Sequence, residues 1–311
     1  MEFNSKKIIS VFPWLTEKNL PFIISADYDG LICASFLHHY LKWELTGYYD
    51  LETIWISENA IQNKDKLIWV DLNILPRQGR AIGGHIVTID KQAPAGFLSS
   101  CNPNILSELT VNDFRDKFPF STIIYLLWLH GLELPRDLMA RLLILHADSV
   151  WLKAQHYPEN IQRWEKCMSN YNWKWLFQSV NTHMFEKRID QLLYPTLKEI
   201  GAISGRGKLS GKHSNIIGRQ YQFNPDWDED VILHLFRLFG RHLKYSPPAL
   251  PKIVKRLEGN RKKASLSEVK KTGLAEFIRK EKIFSYAIPS PRVINYTTFG
   301  YLKNSPLDKH Q

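Results

Sequence analysis

With 311 residues, 44% hydrophobic and 23% charged, the chain has an ordinary globular composition and enough length for one large or two medium domains. Three widely spaced cysteines, Cys33, Cys101 and Cys167, imply neither a disulfide framework nor a cysteine-rich zinc module. No run reaches the ~18 apolar residues of a membrane span, and the apolar stretch from Ile8 to Leu15 is broken by Ser10 and Pro13, so the chain reads as soluble and cytoplasmic with no membrane partner.

The net charge of +10 is segregated. Residues Ala202 to Lys282 carry 18 Lys and Arg against 8 Asp and Glu, which is the whole excess. A basic segment of this kind is the electrostatic footprint of a nucleic-acid tracker, although a solvated basic surface is the plainer explanation.

In chain order, the first element is an apolar strand, Ile23-Ile24-Ser25-Ala26, closing on Asp27-Tyr28-Asp29-Gly30, with a helical run from Leu31 to Leu41 behind it. Lys66 to Val70 reads as a strand ending at Asp71, and His85 to Ile89 as one ending at Asp90. Leu142 to Ala147 is a third apolar run, more helical in character, ending at Asp148. Near-continuous apolar strands mark a parallel sheet buried on both faces, and ligands bind at the carboxyl ends of such strands. Taken singly, each aspartate is an ordinary strand-end or cap residue. Four in one half of the chain point to a shared cation, since two carboxylates ~4 Å apart repel by about 4 kcal/mol at an effective dielectric near 20. A hard divalent ion accepts such oxygen ligands.

These motifs resemble, in order, those of the DHH phosphoesterase superfamily, which includes single-strand exonucleases, oligoribonucleases and cyclic-dinucleotide phosphodiesterases. Asp27-Tyr28-Asp29-Gly30 is similar to its first motif, Asp71 to its second, Asp90-Lys91-Gln92 to the Asp-His-His signature and Asp148 to its fourth. Cys101-Asn102-Pro103-Asn104 resembles the Asn-Pro turn, and Ser121 to Tyr125 the helix that follows it. The resemblance covers the first 150 residues or so. It implies an α/β fold with a parallel sheet and flanking helices over 1–150, a helical connector over 151–200, and a smaller basic region over 201–311 that binds substrate or nucleic acid. It also implies Mn²⁺ or Mg²⁺ held by Asp27, Asp29, Asp71 and Asp148.

The departures fall on the imidazoles. Lys91 and Gln92 stand at the catalytic histidine positions, and Ile23 replaces a histidine four residues before Asp27. Either a metal still sits among the carboxylates, or the Lys91 ammonium takes its place and no metal binds. His85 and His146 are near enough in sequence to substitute, although a histidine in an apolar run reads first as a core residue.

Beyond residue 150, Trp151, Trp164, Trp173 and Trp175 read as core or interface aromatics before base-stacking ones. Arg206, Lys208, Lys212 and His213, interleaved with glycines, are candidates to grip phosphate, and Arg256, Arg261, Lys262, Lys263, Lys270 and Lys271 form a second basic cluster. The spacing predicts a strand from Ile216 to Phe223, helices from Glu229 to Lys244 and Ser265 to Lys282 with Ser267 as cap, and an extended tail after Pro289 able to dock on a protein partner. Two functions follow. One is a catalytically silenced DHH-like protein that binds single-stranded nucleic acid or oligonucleotides, or serves as a protein-partner scaffold. The other is an active metal-dependent phosphodiesterase or exonuclease on such strands.

Overall fold

The computed structural model describes residues 3–75, 79–89, 93–203 and 221–300. Asp90, Lys91, Gln92, Arg206, Lys208, Lys212 and His213 lie outside these residues, as does the end of the tail. The fold is α/β, and no described helix is long and apolar enough to cross a membrane. Two compact units are interleaved along the chain. One comprises Met1–Val11, Ala26–Tyr40 and Pro119–Pro248; the other comprises Phe12–Ser25, Leu41–Phe118 and Ala249–Gln311.

The second unit holds a nine-stranded mixed sheet. Its strands are β1 (Pro21–Ser25), β2 (Glu44–Tyr49), β3 (Thr53–Ser57), β4 (Ile68–Val70), β5 (Arg80–Ile82), β6 (Ser100–Cys101), β7 (Ile253–Ser265), β8 (Ile283–Ser290) and β9 (Val293–Phe299), in the order β6-β5-β4-β1-β2-β3-β7-β9-β8. The pairs from β6 to β2 are parallel and those from β2 to β8 antiparallel. The parallel half is apolar on both faces: every residue of β1 and β4 is buried, as strands sandwiched between layers require, and so is every residue of the antiparallel β3. Beyond β4 the chain meets the far edge of the sheet, where the Leu75 N–H donates to the Phe284 carbonyl at 2.8 Å. Tyr49, Trp69, Phe284 and Phe299 pack edge-to-face in the core there, in the geometry that their ring quadrupoles favour.

Several expectations change in this unit. The sheet is half antiparallel rather than parallel throughout, because β7, β8 and β9 from the basic region join it through β3. The predicted strand from His85 to Ile89 is absent. The strand lies earlier, at Arg80–Ile82, and only an isolated bridge joins Thr88 to Thr110. The expected Ser265 to Lys282 helix divides into Leu266–Thr272 and Leu274–Glu281 at Gly273, whose φ of 86° no helix accommodates. Its cap is Ser265, not Ser267, in a reciprocal capping box with Glu268. The segment after Pro289 is extended, as expected, and forms β9 against β7.

The first unit is helical. Tyr28–Leu41 and Thr122–His130 are apolar around their circumference, and both are buried along nearly their whole length. The predicted helix at Glu229 is present as Glu229–Leu243. Trp151, Trp164 and Trp173 are buried core residues. Of the predicted strand from Ile216 to Phe223, the described part pairs with the Asp27 segment: Tyr28 N–H donates to Tyr221 O, Phe223 N–H donates to Ala26 O, and Asp27 bridges Gln222.

Candidate functional site

In the second unit, β1 is followed in sequence by β2 on one side of the sheet, whereas β4, β5 and β6 lie on the other. The order therefore reverses between β1 and β4, and the crevice at their carboxyl ends is the ligand position of an open α/β sheet. Ser25 ends β1 and Asp71 follows β4 at this point, and the Ser25 hydroxyl donates to Asp71 Oδ2 at 2.6 Å. The other oxygen, Oδ1, lies 2.7 Å from Nε2 of His85, which follows β5. A carboxylate only accepts, so Nε2 carries the proton in this arrangement. The Asp71 side chain is 1% exposed and that of His85 40%, which leaves the imidazole as the approachable member of the pair. Asp71 adopts φ 60°, a left-handed conformation that Asp tolerates better than most residues, and its N–H donates to Ile82 O at 2.7 Å.

The first unit brings a second pair together. Asp29 and Asp148 each offer a carboxylate oxygen within 4.8 Å of the other. Asp29 lies in the first turn of Tyr28–Leu41 and is buried. Its Oδ2 accepts from the Thr122 N–H at 2.6 Å and its Oδ1 from the Ile123 N–H at 3.2 Å, with the Cys33 thiol also directed at Oδ1 at 3.7 Å. The buried carboxylate thus caps the N-terminus of Thr122–His130, where the exposed amides and the helix dipole both favour negative charge. Burial, and then the charge of Asp29, hold the Tyr28 hydroxyl well above its usual pKa; it stays protonated and donates to Leu143 O. Asp148 follows Leu138–His146, and Asp148 and Ser149 are both left-handed, with φ 53° each. Consecutive left-handed non-glycine residues cost about 1–3 kcal/mol each and concentrate at functional sites. Lys153 Nζ stands 3.9 Å from Asp148 Oδ2.

The other sequence candidates divide. Asp27 turns its Oδ1 back to accept from the Gly30 N–H at 3.0 Å. His146 is fully buried, edge-on to Tyr28 and Tyr194, the core histidine that an apolar run suggests. In the second cluster, Arg256, Arg261, Lys262 and Lys263 are exposed along β7, and Lys270 and Lys271 along Leu266–Thr272. Arg256 pairs with Glu258 and Lys262 with Glu281.

Sequence reasoning passed over Ser25 as a partner of Asp71 and gave His85 only a secondary place. The available signal was Gly83-Gly84 directly before His85, a pair that ends a strand rather than continuing it. Compared with protein-family models, curated proteins and solved structures, the chain matches none.

Proposed function

We propose that the chain is a DHH-like phosphoesterase-type protein that engages the phosphates of single-stranded nucleic acid or oligonucleotides around a divalent cation, Mn²⁺ or Mg²⁺. Asp29, Asp71 and Asp148 are its carboxylate ligands, with Asp27 beside them and His85 supplying an imidazole in place of those missing at Lys91 and Gln92. The observation that carries the proposal is the Asp71–His85 pair at the β1/β4 switch point. The sequence supports the grouping, since Asp29, Asp71 and Asp148 each follow an apolar run in the first half of the chain.

The donor set fits such an ion. Carboxylate oxygens with one imidazole suit Mn²⁺ better than Mg²⁺, which prefers oxygen alone. An ion so held would supply Lewis-acid stabilisation of a phosphate and an activated water. The chain's own part is to fix the ligands. Ser25 and the Thr122–His130 amides orient two of the carboxylates, and the exposed β7 cations draw the strand. A catalytically silenced form, with Lys91 as the internal cation, is the second reading, favoured by the loss of both signature histidines.

The test is hydrolysis of fluorescent single-stranded RNA and DNA, and of a chromogenic phosphate diester, with Mn²⁺ or Mg²⁺, alongside Asp71→Ala and Lys91→Ala. Metal-dependent cleavage lost in Asp71→Ala supports the enzyme. Metal binding without cleavage supports the silenced form. Neither binding nor cleavage removes the proposal.

A further inference from the structure

The loop carrying His85 is held by side chains rather than by strand pairing. β6 ends at Cys101, and Asn102 caps the short Pro103–Leu106 helix by accepting from the Asn104 N–H through its Oδ1. This orients the Asn102 amide to donate to Asn73 Oδ1 at 3.0 Å and to Ile86 O at 3.3 Å. Asn104 uses both amide hydrogens on the backbone either side of His85, donating to Gly84 O at 2.7 Å and Ile86 O at 3.0 Å. Its Oδ1 accepts from the Phe118 N–H at 2.6 Å.

Both asparagines are 0% exposed. The loop also has little room to shift, since a Cβ on Gly84 would lie 2.3 Å from Phe118 Cδ1. Carbonyls that a strand would offer to a ladder accept from carboxamides instead, which explains why residues 85–89 do not continue the sheet. Asn73 follows Asp71 by two residues, so one network ties the Asp71 segment and the His85 segment to the end of β6.

We propose that Asn104, assisted by Asn102, is the positioning residue for His85, its carboxamide fixing Gly84 and Ile86 so that the imidazole Nε2 meets Asp71. The inference rests on the metal-site reading for its functional meaning but not for its test. In metal-free protein, long-range ¹H–¹⁵N NMR should find the His85 ring of the unaltered chain as a single Nε2–H tautomer. Asn104→Ala should give a mixture of tautomers, and Asn104→Ser, which keeps one donor, an intermediate mixture if the alanine variant does not fold. Ser265→Ala, which breaks the capping box of Leu266–Thr272 in the same unit, should lower the melting temperature and leave the imidazole spectrum unchanged. A folded Asn104 variant with an unchanged imidazole spectrum overturns the proposal.

Mn²⁺ titration gives the functional consequence. Residues that orient a metal ligand typically contribute 10- to 100-fold in affinity, so Asn104→Ala should weaken Mn²⁺ binding by about tenfold or more in the unaltered chain and not further in His85→Ala. Equal losses in both backgrounds would mean that Asn104 does not act through His85. Absence of Mn²⁺ binding by the unaltered chain would remove the metal reading, while the tautomer result still decides the positioning role.

Discussion

Asp29→Ala separates the structural duty of this carboxylate from any duty to a metal. In metal-free protein the side chain already accepts two backbone N–H bonds at the start of Thr122–His130, in buried surroundings. Hydrogen bonds to a charged group contribute about 1.5–3 kcal/mol each, and an orphaned buried donor costs a similar amount. Losing both should therefore cost about 3–5 kcal/mol. For large domains 1 kcal/mol moves the melting temperature by roughly 2–4 °C, so a fall of roughly 6–20 °C is expected. The assay is calorimetry in EDTA, with Asp27→Ala for comparison. That residue gives up one N–H bond in a half-buried turn and should cost about 1 kcal/mol. A metal-free melting temperature for Asp29→Ala within 2 °C of the unaltered protein would refute the capping role.

Further outcomes can be checked independently. Burial lowers the pKa of His130 from 6.5 to about 4, so the native state resists a proton that the unfolded chain accepts. Stability should therefore be full above about pH 6.5 and fall by roughly 3 kcal/mol as the pH drops towards 4. His130→Phe should flatten that part of the urea-midpoint profile, and an unchanged slope would count against the buried neutral imidazole. Ser265→Ala should cost about 1 kcal/mol and Ser267→Ala less, because only the former is the cap of its helix; chemical denaturation measures both. If the exposed β7 cations track a strand, log affinity for single-stranded oligonucleotides should fall with log salt by about 0.7 per phosphate neutralised. Replacing Arg261, Lys262 and Lys263 together by alanine should flatten the slope, as should replacing Arg206, Lys208 and Lys212. Salt-independent binding would end that reading.

The parts of the fold legible in the sequence are those where burial leaves its own mark. β1 and β4 announce themselves as unbroken Ile, Val and Phe or Trp runs because both faces are covered, and Glu229–Leu243 by its helical periodicity. β7 gives no such mark. Its run Asn260-Arg261-Lys262-Lys263 is polar and exposed, and its place in the sheet depends on pairing with β3 some 200 residues earlier. The strand expected at His85 fails for a related reason: an apolar run fits a strand or a buried loop equally, and the choice is made by Asn102 and Asn104 claiming the carbonyls. At the site, residue types and strand ends are readable, which singles out Asp29, Asp71 and Asp148. The left-handed turns at Asp71 and Asp148 and the service of Asp29 to a helix almost a hundred residues away are tertiary facts that no local pattern encodes.

The most direct test is Mn²⁺ binding by the whole chain, followed by calorimetric titration and by elemental analysis of the dialysed protein, with Asp71→Ala and His85→Ala in parallel. Saturable binding at a fixed stoichiometry is expected, abolished by Asp71→Ala and weakened by His85→Ala. No saturable binding, or binding that survives the loss of Asp71, would contradict a metal centre built on this residue.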